Sequence, residues 1–454
     1  MTVEGLTINS LKKKDLLTLG FMMFSIYFGA GNLIFPPALG QAAGDHTLHA
    51  MLGFMTTGIG LPLLGITAIA LAGGEYVPLL HAKTWPRFAT VLLVILYLII
   101  GPLFAMPRTG AVSFEIGIRP FLSADNLALG QIIYTAIFFA SSYYLALNPN
   151  KIIDRVGRML TPALLIVLLI LFVQAFHAPL GAILPATGAY IDAPFAQGFQ
   201  DGYQTMDLLA SIAIGALVAN AVRMRGITDS RAVGAACLVS GLITVMLMAA
   251  VYGSLAYIGA TSTSVLGQAE NGGQILSAAV GIFFGSAGNL LLAVIIGLAC
   301  LTTCCGITSS AAMFFNKLLK GRVSYERLLL FSILFSFAAS NVGLTQIIAL
   351  AIPFLVTIYP LIIVFVILSL FDRFIGWRKS IYQGAMALTL VFSLIDGLHA
   401  AGLSSEPVHA LLVAYIPFYN IMMGWVCPAV IGAFVGLIIS FFQTVPRAAE
   451  ESQV

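Results

Sequence analysis

Charge is what this sequence has least of. Asp, Glu, Lys and Arg make up 9% of its 454 residues, whereas 60% are apolar. An average soluble chain carries roughly 25% charged residues. So few polar groups cannot cover a globule of this length, and much of the surface must face something other than water. Long polar segments are also missing, which excludes a separate soluble domain. The net charge of +3 is too small for a nucleic-acid partner. The five cysteines, Cys237, Cys300, Cys304, Cys305 and Cys427, lie in apolar stretches. They show neither metal-ligand spacing nor a disulfide framework and act as small hydrophobes. The six histidines, His46, His49, His81, His177, His399 and His409, mostly fall at loop edges. They form no catalytic pair with a serine or an acid, which argues against a membrane enzyme.

What is present is a recurrence of apolar runs of about 18 residues or more, the mark of helices that cross a bilayer. The reading is an all-α polytopic membrane protein with about twelve spans, near residues 16–43, 48–73, 88–113, 128–148, 159–177, 195–222, 232–259, 287–316, 324–343, 344–370, 380–402 and 411–442. The run from Leu16 to Leu39 follows Lys12, Lys13 and Lys14 as a signal peptide would. It is too long for a signal core and holds Gly29, Gly31, Pro36 and Pro37, so it is read as a retained span. The apolar stretch Ile275 to Phe284 is too short to cross. It is expected as a helix in the loop before the eighth span.

Basic residues set the orientation, because cytoplasmic loops are enriched in Lys and Arg. With a cytoplasmic N-terminus, all but Arg108 and Arg119 of the 21 Lys and Arg fall on the cytoplasmic side. Both termini are then cytoplasmic.

Two spans are expected to break. The first reads Phe28-Gly29-Ala30-Gly31-Asn32-Leu33-Ile34-Phe35-Pro36-Pro37, and the sixth contains Gly198 through Asp207, including Gly202-Tyr203-Gln204-Thr205-Met206-Asp207. Glycine weakens a helix and proline lacks a donor. Kinked packing helices are the plain alternative. Interruptions at matching places in two halves, five spans apart, instead point to a binding site between half-helices. Unwinding frees N–H groups at a positive dipole end, which suits a carboxylate. It also frees carbonyls, which suit an ammonium group or a small cation. Asp207, an acid within a span, is a functional candidate by default. It caps the second half of the sixth span, binds a substrate amine or relays a proton. Span eight carries Thr302, Thr303, Thr308, Ser309 and Ser310. These hydroxyls either bond back to the preceding turn or offer oxygens to a hard cation.

The runs Phe28 to Pro37, Gly202 to Asp207 and Ser340-Asn341-Val342-Gly343-Leu344, with Ile100-Gly101-Pro102-Leu103-Phe104 and Pro107-Arg108-Thr109, resemble the bacterial branched-chain amino acid:cation symporters over almost the full chain. The resemblance implies the leucine-transporter fold. One repeat covers about 12–180, its inverted partner about 190–372, and two extra helices cover about 378–442. It further implies sodium-coupled symport of leucine, isoleucine and valine by alternating access in the bacterial inner membrane. Protons, or another amino acid, are the alternatives within the same fold; a channel, which tends to repeat one pore element around an axis, suits two broken helices less well. By this resemblance Gly29, Ala30, Gly31, Asn32, Phe104, Tyr203, Gln204, Thr205, Met206 and Asp207 bind the substrate. Na+ would be held by Thr308 and Ser309 side chains with carbonyls of Cys305, Ser25 and Phe28. No other cofactor is implied. Asp396 and His399, outside the repeats, are read as structural. Glu115 is expected near Arg108 or Arg119, and Asp201 near solvent.

Overall fold

The computed structural model describes residues 12–442, apart from 75, 148, 228, 377, 404 and 405. Arg447 lies outside the described residues, as do the side chains of Lys151, Arg155, Arg158, Arg373 and His409. Every regular element among the described residues is helical. Among the described residues, seven helical stretches are long and apolar enough to cross a bilayer, some of them bent or interrupted, and one further bent pair adds an eighth. Lipid-facing side chains such as Leu129, Ile137, Leu169, Met246 and Phe434 are exposed, whereas the interior holds two packed apolar clusters.

The first span is two helices, α1 (Lys13–Tyr27) and α2 (Ala30–Ala43). Phe28 (φ −72°, ψ 93°) and Gly29 (φ −118°, ψ −169°) between them are extended. The break thus sits at 28–29, and α2 runs on through Pro36 and Pro37. The second span joins α3 (Thr47–Met55) to α4 (Leu61–Leu71) through a π-turn at Thr56–Gly60. A short helix, α5 (Tyr76–Lys83), precedes α6 (Pro86–Leu98).

The third span, expected as continuous, is also interrupted. Pro102 cannot donate to the preceding turn and disfavours helical geometry at the residue before it. Gly101 accordingly sits at φ −100°, ψ −127°. After the π-turn Ile99–Leu103, α7 (Ala105–Gly117) continues the span.

Then come α8 (Leu127–Ala146), α9 (Pro149–His177), the pair α10 (Pro194–Asp201) and α11 (Asp207–Arg223), and α12 (Ser230–Leu266). In α13 (Gly272–Leu318), Gly285 has φ 64° and ψ −160°, a reversal that glycine tolerates without penalty. It separates the expected loop helix, Ile275 to Phe284, from the eighth span. Gly272 opens that loop helix against α2: a Cβ there would lie 1.7 Å from the Ile34 carbonyl oxygen. The remaining helices are α14 (Tyr325–Ser340), α15 (Leu344–Leu370), α16 (Asp372–Ile375), α17 (Lys379–Ala400), α18 (Glu406–Tyr415) and α19 (Val426–Phe442).

The expected last span, 411–442, is not one helix. α18 ends at Tyr415, and Phe418 (φ 64°) and Met422 (φ 57°) adopt the left-handed conformation before α19. The apolar composition of this stretch hid the break, although Pro417, directly before Phe418, was the available sign of it.

One ion pair ties α5 to the end of α15. Lys83 Nζ lies 2.8 Å from Asp372 Oδ1 and 5.0 Å from the Tyr382 ring centre on α17. The Lys83 side chain is 4% exposed. Burial pulls its pKa down and the bond to Asp372 pushes it back up. Removing one partner of such a pair strands the other charge, at about 3–5 kcal/mol. Lys83→Met and Asp372→Asn should each lower the unfolding temperature in detergent, and the double variant should recover most of the loss. Two single losses that simply add would show the pair to be uncoupled.

Candidate functional site

The two expected breaks face each other. At the first, the Gly29 N–H donates to Asn32 Oδ1 at 3.1 Å, so a side chain on α2 receives a donor that has left the helical ladder. Asn32 then reaches across the gap. Its Nδ2 donates to Asp207 Oδ2 at 2.7 Å and to the Tyr252 hydroxyl on α12. The Tyr252 hydroxyl also donates to Asp207 Oδ2 at 3.5 Å. Asp207 is 4% exposed. It stands in the first turn of α11, where an acid favours the helix dipole, but its carboxylate is spent on Asn32 and Tyr252.

At the second break, α10 gives way to a single 3-10 turn, Gly202–Thr205. Met206 is left-handed at φ 62°, ψ 13°, and α11 leaves at a 48° bend. A methionine in this region is strained. The Asp207 N–H donates to Thr205 Oγ1 at 3.3 Å, and that hydroxyl donates to the Gly202 carbonyl at 2.9 Å.

The carbonyls loosened by this geometry need donors, since hydrocarbon supplies none. Arg108 provides them. Its Nη1 donates to the Gln204 carbonyl at 2.5 Å and its Nη2 to the Thr205 carbonyl at 3.4 Å. The guanidinium lies 5.2 Å from the Phe35 ring centre and the residue is 5% exposed. The positive-inside count had put Arg108 on the far side of the membrane. It is instead buried between the broken helices. The available signal was its position inside the expected span 88–113, where any ionisable residue marks a site.

Gly31 explains itself here. A Cβ on it would lie 2.9 Å from Arg108 Nη2 and 3.2 Å from the Phe35 ring, so only glycine leaves room for the guanidinium.

The structure therefore gathers Gly29, Ala30, Gly31, Asn32, Gln204, Thr205 and Asp207 around one gap, and adds Arg108 and Tyr252, which sequence reasoning missed. Nothing in the residues around Tyr252 singled it out. Phe104, Tyr203 and Met206 lie in the apolar cluster on the α15 side. Phe104 tilts against Phe354, and Tyr203 stacks on Tyr359 with ring centres 4.3 Å apart. Gln204 Oε1 is buried without a hydrogen-bond partner. A small void, lined by Met23, Tyr27, Gly58, Pro62, Thr244 and Met248, adjoins the end of α1.

The expected ion set is more dispersed. Thr308 Oγ1 donates to the Cys304 carbonyl at 2.6 Å and packs 3.5 Å from Met106 Sδ on α7. The Cys305 thiol turns to the Ser142 carbonyl on α8, at 3.6 Å. Ser309 Oγ is buried without a partner. Ser25 sits on α1, and Phe28 lies in the break itself. The span-eight hydroxyl that approaches the break is Thr303, whose Oγ1 would lie 3.8 Å from a Cβ on Gly29. Among the described residues, no cluster of three His, Cys, Asp or Glu is placed to hold a metal.

At the opposite end of α7, Glu115 pairs with Arg119 at 2.5 Å, and Asn271 and Gln274 of the loop helix donate to Glu115 at 3.2 and 2.9 Å. Of the two arginines expected near it, Glu115 meets Arg119. Asp201 accepts from Gln197 at 3.0 Å and from the Tyr190 hydroxyl, so it is bonded rather than solvated.

Two interrupted helices that meet through polar groups and share a buried cation define a membrane transporter of the broken-helix class. The family of branched-chain amino acid transport proteins matches residues 12–443, and the chain belongs to that family. It is 46% identical to the branched-chain amino acid permease BraB of Bacillus subtilis over 434 residues, 96% of this chain and 97% of that one. It is 43% identical to the branched-chain amino acid transport system 2 carrier protein of Pseudomonas aeruginosa, over 97% of this chain and 99% of that one. These relatives are named as permeases and carriers, not enzymes. Among solved structures it is similar to Mhp1, a nucleobase-cation-symport-1 family transporter, with a TM-score of 0.59, 13% identity, and 94% and 92% of the two chains covered. At that identity the likeness establishes the leucine-transporter fold alone.

Arg108→Lys replaces a planar fork by a point charge that cannot serve both carbonyls in the same geometry. A hydrogen bond to a charged group contributes about 1.5–3 kcal/mol, so the variant should unfold in detergent at a clearly lower temperature. Gly31→Ala should do likewise, by displacing the same guanidinium. Unchanged unfolding in both would mean the guanidinium does not hold the break together.

Proposed function

We propose that this protein takes up leucine, isoleucine and valine by sodium-coupled symport, through alternating access across the bacterial inner membrane with both termini cytoplasmic. The observation that carries the reading is the polar bridge from Asn32 to Asp207 between two broken helices, beside the Arg108 guanidinium. The relatives' names supply the substrate class.

The chemistry suits a zwitterion. The first N–H groups of α2 have no earlier turn to bond to and carry the positive end of the helix dipole. A substrate carboxylate docks there, with Gly29, Ala30 and Gly31 giving it close access to main chain. The ammonium group replaces the Asn32 amide at Asp207, while the Gln204 and Thr205 carbonyls stay with Arg108. The aliphatic side chain extends toward Phe104, Tyr203 and Met206. Each CH2 contributes about 0.8 kcal/mol on burial, so leucine, isoleucine and valine are separated only weakly. The polar groups are bonded to one another here, and substrate must exchange those bonds for its own.

For the ion, Ser309 Oγ and Thr308 Oγ1 have lone pairs for a hard cation, because a hydroxyl that donates still accepts. Ser25 contributes a carbonyl from α1, Phe28 one from the break and Cys305 one from α13.

Leucine uptake into vesicles should rise with external Na+, and replacing Na+ by choline at fixed pH should abolish accumulation. Thr308→Ala and Ser309→Ala should each weaken the Na+ dependence at least tenfold. A Na+ response lost in Thr303→Ala yet intact in both of those would move the ion to the break in helix one. Uptake indifferent to Na+ throughout would remove sodium as the coupling ion.

A further inference from the structure

Asp396, on α17 outside the two repeats, is 0% exposed, and the Tyr419 hydroxyl is the side chain beside its carboxyl. Among the described residues, no Lys or Arg forms an ion pair with it. The helices packed against α17 are α15, α19 and α5. Neither α15 nor α19 contains a Lys, Arg or His. On α5, Lys83 is committed to Asp372 at the other end of α17, and His81 lies on that same short helix. His399 is one turn further along α17. The titratable side chains that face the carboxyl are tyrosines. Tyr419 comes from the α18–α19 connection. Tyr203 comes from the 3-10 turn of the sixth span, with Tyr359 of α15 stacked behind it. The Trp425 indole N–H closes the group. The Tyr203 hydroxyl and the Trp425 Nε1 are buried beside each other.

An ionised carboxylate fully buried among neutral aromatic side chains, with only a tyrosine hydroxyl beside it, is prohibitively costly, so the group takes up a proton instead. A metal ion is disfavoured by the indole, which only donates. We propose that Asp396 is a proton-binding site of the transport cycle, holding its proton while the 3-10 turn of the sixth span is packed against the α18–α19 connection and losing it when that packing opens.

One hydrogen bond joins the two elements directly. Gln200 Nε2, at the end of α10, donates to the Ile421 carbonyl at 2.7 Å. Ile421 lies between the left-handed Phe418 and Met422. If α10 tilts, it withdraws Tyr203 and Gln200 from this connection together. Water then reaches the carboxyl, the O–H bond breaks, and the proton leaves to water. Closing reverses the step. The protonated form is the one compatible with the packed state, so raising the pH opposes closure.

This inference rests on the alternating-access reading above, and its test separates the two. Purified protein in liposomes, at fixed Na+, is assayed for leucine uptake across pH, with leucine binding measured in parallel. In the wild type, uptake falls as pH rises. In Asp396→Asn, which is neutral at every pH, leucine binding persists and uptake stays at its low-pH level. Asp396→Glu, which keeps a proton site, shifts the profile instead of flattening it. Infrared spectra of wild type at neutral pH show a protonated-carboxyl stretch that is missing in Asp396→Asn and present in Asp207→Asn. An Asp396→Asn variant with the wild-type pH profile, or a wild-type spectrum without a protonated carboxyl assignable to Asp396, overturns the proposal. Absence of leucine binding in the wild type would overturn the transport reading instead, and the infrared result would still decide the proton.

Discussion

Inside hydrocarbon every main-chain N–H and C=O must find a partner within the protein. The Arg108 guanidinium meets that constraint at the sixth-span break, where it serves two carbonyls that the helix has released. The glycine at 31 and the apolar ring of Phe35 make room for it. A fixed positive group thereby stabilises the unwound segment. The first-span break is satisfied by a neutral device, the amide of Asn32. One break is thus pinned by a charge and the other by a side chain that also spans the gap to Asp207. They are joined, so neither half-helix can move without renegotiating bonds at the other.

Much of the architecture could be read in advance. The breaks at 28–29 and 202–206 are announced by glycine and polar residues inside apolar runs, and the loop helix before span eight by its length and by Gly285. The interruption at Gly101 was equally legible, since Pro102 follows it, but a single Gly-Pro is common enough in membrane helices to be read as a kink. The split between α18 and α19 had only Pro417 to announce it, since its left-handed residues are Phe418 and Met422. Composition gives no warning of strain held by tertiary contacts.

The site divides along the same line. Backbone roles at Gly29 to Gly31 follow from residue type alone. The location of Arg108 was misjudged because the charge count treats every arginine near a span end as solvated. Whether a charge is outside or buried depends on the opposing helix, here the 3-10 turn, which periodicity cannot supply. The hydroxyls of span eight show the same limit. Sequence puts five of them within three turns, and only packing says that Thr303 faces the first-span break while Thr308 faces α7.

Gly272 rests its main chain directly on the Ile34 carbonyl of α2, with no side chain between them, and Asn271 and Gln274 bind the loop helix to Glu115. Contact of bare backbone on backbone has no soft layer to absorb displacement. A rise of α2 toward the loop must push it, whereas the loop may lift while α2 stays still. The linkage is therefore directional, like a pawl on a tooth: freeing the loop is a precondition for one sense of movement of the site helix and irrelevant to the other.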